Sequence, residues 1–107
     1  MTSVYDLYGA ETLNLQFLRA RLEVAIGCCF DERESSYQGG VYLFCGDNRS
    51  ENFVLKNNVD PFDGDAVEQD FLGCPVLLYV NATVRSSELE KSILKVEGFK
   101  LLRREVF

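Results

Sequence analysis

Cys74-Pro75-Val76-Leu77-Leu78-Tyr79-Val80 is continuously apolar, and it is too short to be anything but a strand. A run without polar alternation predicts a central strand covered on both faces. Downstream, Ser87 with Glu90 three residues later has the spacing of a capping box. Leu89, Ile93 and Val96 then form one stripe at helical spacing, closed by Gly98. Phe99 to Val106 reads as a final strand in which Lys100, Arg103, Arg104 and Glu105 mark a partly exposed surface. The second half of the chain is therefore a strand-helix-strand unit.

Working back toward the start gives a second such unit. Val4-Tyr5-Asp6-Leu7-Tyr8 alternates briefly and ends at Gly9, as a short first strand does. Leu15, Leu18, Leu22, Ala25 and Ile26 form an amphipathic stripe, with Thr12 placed to cap the helix and Gly27 to end it. Cys28 to Glu34 reads as the next strand, and the turn Ser35-Ser36-Tyr37-Gln38-Gly39-Gly40 folds it back onto Val41-Tyr42-Leu43-Phe44-Cys45. A second turn, Gly46 to Ser50, leads to Asn52-Phe53-Val54-Leu55-Lys56 and completes an antiparallel meander.

The order strand, helix, three strands, strand, helix, strand predicts an α+β two-layer sandwich. It would be a ferredoxin-like variant with about six strands in a mainly antiparallel sheet and two helices on one face. A chain of 107 residues has room for one hydrophobic core, so residues 1–107 are expected to form a single domain.

Net charge is −6 with 17 acidic and 11 basic side chains, which opposes binding to nucleic acid or to an anionic membrane. The longest apolar run is far short of a bilayer span, and the first residues lack a basic and apolar leader pattern; a cytoplasmic protein is expected. The four cysteines, at 28, 29, 45 and 74, read as reduced core thiols. With Cys28 and Cys29 adjacent and no histidine in the chain, neither a zinc site nor an activated thiol is expected.

The charge is unevenly placed. Between Lys56 and Arg85 stand Asp60, Asp63, Asp65, Glu68 and Asp70, with no basic residue among them. They fall in a long polar stretch from Asn57 to Asp70 that Pro61 and Gly64 break, and a loop of that length is usually functional or disordered. Asp63-Gly64-Asp65 has the look of a calcium loop. With Gly64 in the sixth position, however, the first and third ligands would be Val59 and Pro61, which have no carboxylate. No metal or cofactor is expected. Phe62 and Phe71 are interleaved with the acids, as apolar anchors are in charged interface rims, the alternative being that both fold inward to close the core. Asp60, Phe62, Asp63, Asp65, Glu68 and Asp70 are therefore the expected partner contacts, with Tyr37 at the tip of the Gly-Gly turn as a further candidate. No phosphate-binding, dinucleotide or nucleophile-elbow motif occurs, and no carboxylate pair is singled out by spacing, so the chain is not expected to be an enzyme.

Tyr5-Asp6-Leu7-Tyr8-Gly9, Glu34 to Gly40, Asn57 to Gly64, Pro75 to Val80 and Leu101 to Val106 together resemble small bacterial proteins of the immunity class, the partners encoded beside polymorphic or secreted toxins. The resemblance implies a protein that binds a cognate toxin and occludes its active site, and it carries no residue roles. An acidic patch would speed association with a basic active site. The alternatives are a small-molecule sensor of ferredoxin-like type and a homodimeric scaffold paired through the last strand.

Overall fold

β5 (Val76–Thr83) lies inside a six-stranded sheet with β4 (Asn52–Asn57) on one side and β1 (Val4–Ala10) on the other. A computed structural model describes residues 3–12, 14–35, 40–59 and 64–107. Beyond β4 lie β3 (Gly40–Gly46) and the edge strand β2 (Asp31–Ser35); beyond β1 lies the opposite edge, β6 (Phe99–Val106). Every neighbouring pair is antiparallel. α1 (Leu15–Ile26) follows β1 and α2 (Ser86–Leu94) joins β5 to β6. The α+β two-layer sandwich is thus the observed fold, with β5-α2-β6 enclosing β1 and the β2-β3-β4-β5 meander filling the rest.

Strand alternation decides which side chains meet the helices. Val76, Leu78 and Val80 of β5 join Tyr8, Ala10, Leu43, Phe53 and Leu55 in a core that Leu18 and Leu22 of α1 and Leu89 and Ile93 of α2 complete. Burying one such leucine or isoleucine contributes about 1.5–3 kcal/mol. On the other face, Leu7, Cys74 and Leu77 form a second, smaller cluster against Phe71, Tyr79 and Leu102. The central strand is covered on both sides because the segment after Gly64 folds over this second face.

Local details depart from the sequence expectation in three places. Asn14, rather than Thr12, caps α1, its Oδ1 accepting the Phe17 N–H at 3.0 Å, while Gly27 ends the helix in the left-handed region (φ 77°) as expected. Cys28 to Phe30 are not part of β2, because side chains of α1 take up backbone groups there. Glu23 Oε2 accepts the Phe30 N–H at 2.8 Å, and Arg19 Nη2 donates to the Phe30 carbonyl at 2.7 Å. The Ser87–Glu90 capping box does not form: α2 starts after Arg85 with no side-chain cap, and Glu90 instead accepts from Arg104 Nη2 at 2.7 Å.

The two sheet edges carry charge. Asp31, Glu32, Arg33 and Glu34 of β2 are all exposed, a composition that discourages edge-to-edge pairing. On the helix side of β1, Arg104 grips the fully buried carboxylate of Asp6 through Nε (2.8 Å) and Nη2 (3.0 Å). Among the described residues, no helix is long and apolar enough to cross a membrane.

Candidate functional site

The face turned away from the helices is where the sheet departs from regularity. Between Val4 and Asp6 the β1–β5 register slips, with Val4 opposite Thr83 and Asp6 opposite Val80, so β5 carries an extra residue there. Ala82 absorbs it at φ 55°, a conformation that costs a residue with a Cβ. A second slip, between Leu7 and Tyr8, puts Leu7 opposite Arg103 and Tyr8 opposite Leu101, leaving Leu102 as the extra residue of β6. Bulges on both neighbours of β1 re-aim the side chains beside it, a device common next to binding sites.

Between them lies an open groove of about 670 Å³, lined chiefly by Tyr5, Tyr79, Asn81, Arg103, Glu105 and Phe107. The rings of Tyr5 and Phe107 meet edge to face at 5.4 Å. Phe107 is held there by paired backbone bonds with Ser3 (3.0 and 2.8 Å). Asn81 Nδ2 donates to Asn52 Oδ1 at 2.9 Å, which fixes the amide within the groove wall.

Glu68 closes one side. Its Oε2 accepts the Tyr79 hydroxyl at 2.7 Å and its Oε1 accepts from Arg103 Nη1 at 3.2 Å, while Arg103 Nε lies 3.4 Å from Glu105 Oε1. Burial, and then the Glu68 carboxylate, push the Tyr79 phenol well above its ordinary range, so Tyr79 is a permanent donor at neutral pH.

Glu68 is positioned by Asn58, a buried residue at the end of β4. Asn58 Oδ1 accepts the Glu68 N–H at 2.8 Å, and Nδ2 faces the carbonyls of Glu68 (3.4 Å), Phe71 (3.1 Å) and Cys74 (3.1 Å). A 3-10 turn, Gln69–Phe71, follows, and the Asn58 N–H itself donates to the Pro75 carbonyl at 2.8 Å. One asparagine therefore fastens the 64–75 segment to the sheet.

The expected contact residues divide accordingly. Asp65 and Asp70 are exposed on the fastened segment, together with Val67 (38% exposed) and Leu72 (75%). Glu68 turns onto the sheet and is tied to Tyr79 and Arg103. Phe71 folds inward, into the second apolar cluster. Asp60, Phe62, Asp63 and Tyr37 lie outside the described residues. Tyr5, Tyr79, Asn81 and Phe107 were not candidates in the sequence, and Arg103 and Glu105 were read there only as marking the partly exposed side of the last strand. The alternation of Arg103 and Glu105 along the last strand was the readable signal for two of them; the slip at Ala82 that aims Asn81 has none.

All four thiols are free, but Cys29 is exposed rather than part of the core. Burial, then the adjacent Cys45 thiol and nearby negative charge, push Cys28 up to about 12. Among the described residues no three or more Cys, Asp or Glu side chains are grouped to hold a metal ion. Compared with known proteins, the sequence matches no family model and no curated protein.

Proposed function

We propose that this chain is a binding protein whose contact surface is the open face of the sheet with its fastened acidic segment, and that its partner is a protein. The specific form of the proposal is an immunity protein that occludes the active site of a cognate bacterial toxin in the cytoplasm, without chemistry of its own. The observation that carries it is the Asn58 latch. It presents Leu72 and Val67, apolar and exposed, among the carboxylates of Asp65 and Asp70 and beside a groove with aromatic walls. Apolar anchors in a charged rim, held before the partner arrives, lower the ordering cost of association. Asp60, Phe62 and Asp63 extend the same acidic segment in sequence.

Co-expression tests this reading. The chain should restore growth to cells producing the toxin encoded beside it, and Leu72→Arg combined with Asp70→Lys should abolish the protection while the protein stays folded. Unaltered protection by that double variant contradicts the assigned surface.

The groove favours a second reading. Its volume of about 670 Å³ lies within the range of small-molecule sites. A metabolite that raises the melting temperature of the wild-type chain but not of Asn81→Leu would favour a sensor over a protein-binding module.

A further inference from the structure

We infer that the groove receives a cationic side chain, an arginine or lysine, of the protein partner. This rests on the reading of the open face as the contact surface, and it adds what that surface recognises. Two kinds of group converge there, aromatic rings and carboxylates, and both favour a cation.

Charge is the first consideration. Among the described residues lining the groove, Arg103 is the one cation, and two carboxylates contact it, Glu68 at 3.2 Å and Glu105 at 3.4 Å. The two carboxylates answer Arg103 and the Lys56 ammonium that stands against the Tyr79 ring, so the wall holds no spare positive charge for an anion. Glu68 spends one oxygen on Tyr79 and the other on Arg103. Glu105 meets Arg103 through Oε1, and its side chain is half exposed, so the carboxylate is accessible as an acceptor to an incoming group. An anionic ligand would have to compete with both carboxylates for Arg103, which disfavours it.

The rings are the second. Tyr79 already carries Lys56 Nζ at 5.4 Å from its centroid, so the rings offered to an incoming group are Tyr5 and Phe107 at the mouth. Both are exposed, and their edge-to-face contact holds them in place. A guanidinium or ammonium within about 6 Å of such a ring gains attraction from its π face. Asn81, whose Nδ2 is committed to Asn52, presents its Oδ1 as a further acceptor. A planar guanidinium set against a ring, with Glu105 and Asn81 as acceptors, uses all of these groups together; a neutral or acidic side chain uses only the rings.

A titration of the full chain followed by amide NMR tests this, with Nα-acetyl-arginine amide as the probe and Nα-acetyl-citrulline amide as its neutral isostere. The arginine probe is expected to move the signals of Tyr5, Tyr79, Asn81 and Phe107 saturably. Citrulline should bind more weakly, and Tyr5→Leu and Glu105→Gln should each weaken the arginine probe by about two- to fivefold, the scale of one exposed cation–π or charged contact. Equal response to arginine and citrulline, shifts located elsewhere, or no response to either overturns the inference. A captured partner that binds Glu105→Gln and Tyr5→Leu as well as wild type also overturns it, while leaving the protein-binding reading intact. Specific uptake of the arginine probe by a chain that protects against no toxin supports the groove chemistry and overturns the immunity reading instead.

Discussion

Asn58 holds Glu68 by accepting its backbone N–H at 2.8 Å, across ten residues of chain. The same side chain faces three carbonyls of the 64–75 segment, so the position of Glu68, and through it of Tyr79 and Arg103, depends on one buried amide. Truncation to Asn58→Ala leaves these groups without their partner. A loss of about 2–3 kcal/mol is expected, from several unmade hydrogen bonds at a partly buried site. Urea unfolding measures it, and hydrogen exchange should show the Glu68 amide exchanging much faster. Unchanged stability would mean that the segment is held by its apolar contacts alone.

The Asp6–Arg104 pair is the costliest ion pair to break. The Asp6 carboxylate is fully buried and Arg104 binds both its oxygens, with Glu90 as a third carboxylate contact. Arg104→Leu strands a buried charge and should cost about 3–5 kcal/mol. Lys100→Ala, which removes an exposed pair with Glu11 at 3.9 Å, should cost less than about 1 kcal/mol. Parallel denaturant curves for the two variants check the ordering.

Stability should fall at both ends of the pH scale, for identifiable reasons. Arg85 and Thr83 bind the Glu51 carboxylate and hold it below the ordinary carboxylate range, against the opposing effect of burial. Its contribution is therefore present above the unfolded-state pKa and lost as pH falls through the lowered folded value. Tyr8 and Tyr79 are pushed upward, chiefly by burial. Their contribution is complete below about pH 10, the unfolded tyrosine value, and is lost above it. Thermal melts across pH should show an acid limb that Glu51→Gln flattens and an alkaline limb that Tyr79→Phe reduces.

Thiol reactivity should follow exposure. Cys29 is exposed, whereas Cys28 is pushed up to about 12 and Cys74 is buried. Iodoacetamide at pH 8 should modify Cys29 first and Cys28 far more slowly, since only the thiolate reacts. Mass mapping of the alkylated peptides reads the order directly; faster labelling of Cys28 would contradict the packing of the α1–β2 connection.

The fold was largely legible, because two apolar stripes at helical spacing and the run from Val76 to Val80 leave few ways to bury them. What escaped were choices among local hydrogen-bond partners. Glu90 has the spacing of a capping residue but finds Arg104 from a strand adjacent only in space. Cys28 to Phe30 look strand-like but have backbone groups claimed by Arg19 and Glu23. The site was legible only as an acidic segment. That Glu68 would face the sheet while Asp65 and Asp70 stay at the surface depends on Asn58, and an asparagine at a strand end is too common to single out.

The central claim is the proposal that the fastened acidic segment binds a protein partner, and calorimetric titration against a toxin that the chain protects against in co-expression tests it most directly. Tight one-to-one binding is expected, weakened by about thirtyfold or more in Leu72→Arg combined with Asp70→Lys, the scale of a lost interface hot spot. Absence of binding, or binding unaltered by that double variant while its fold is intact, would contradict the account.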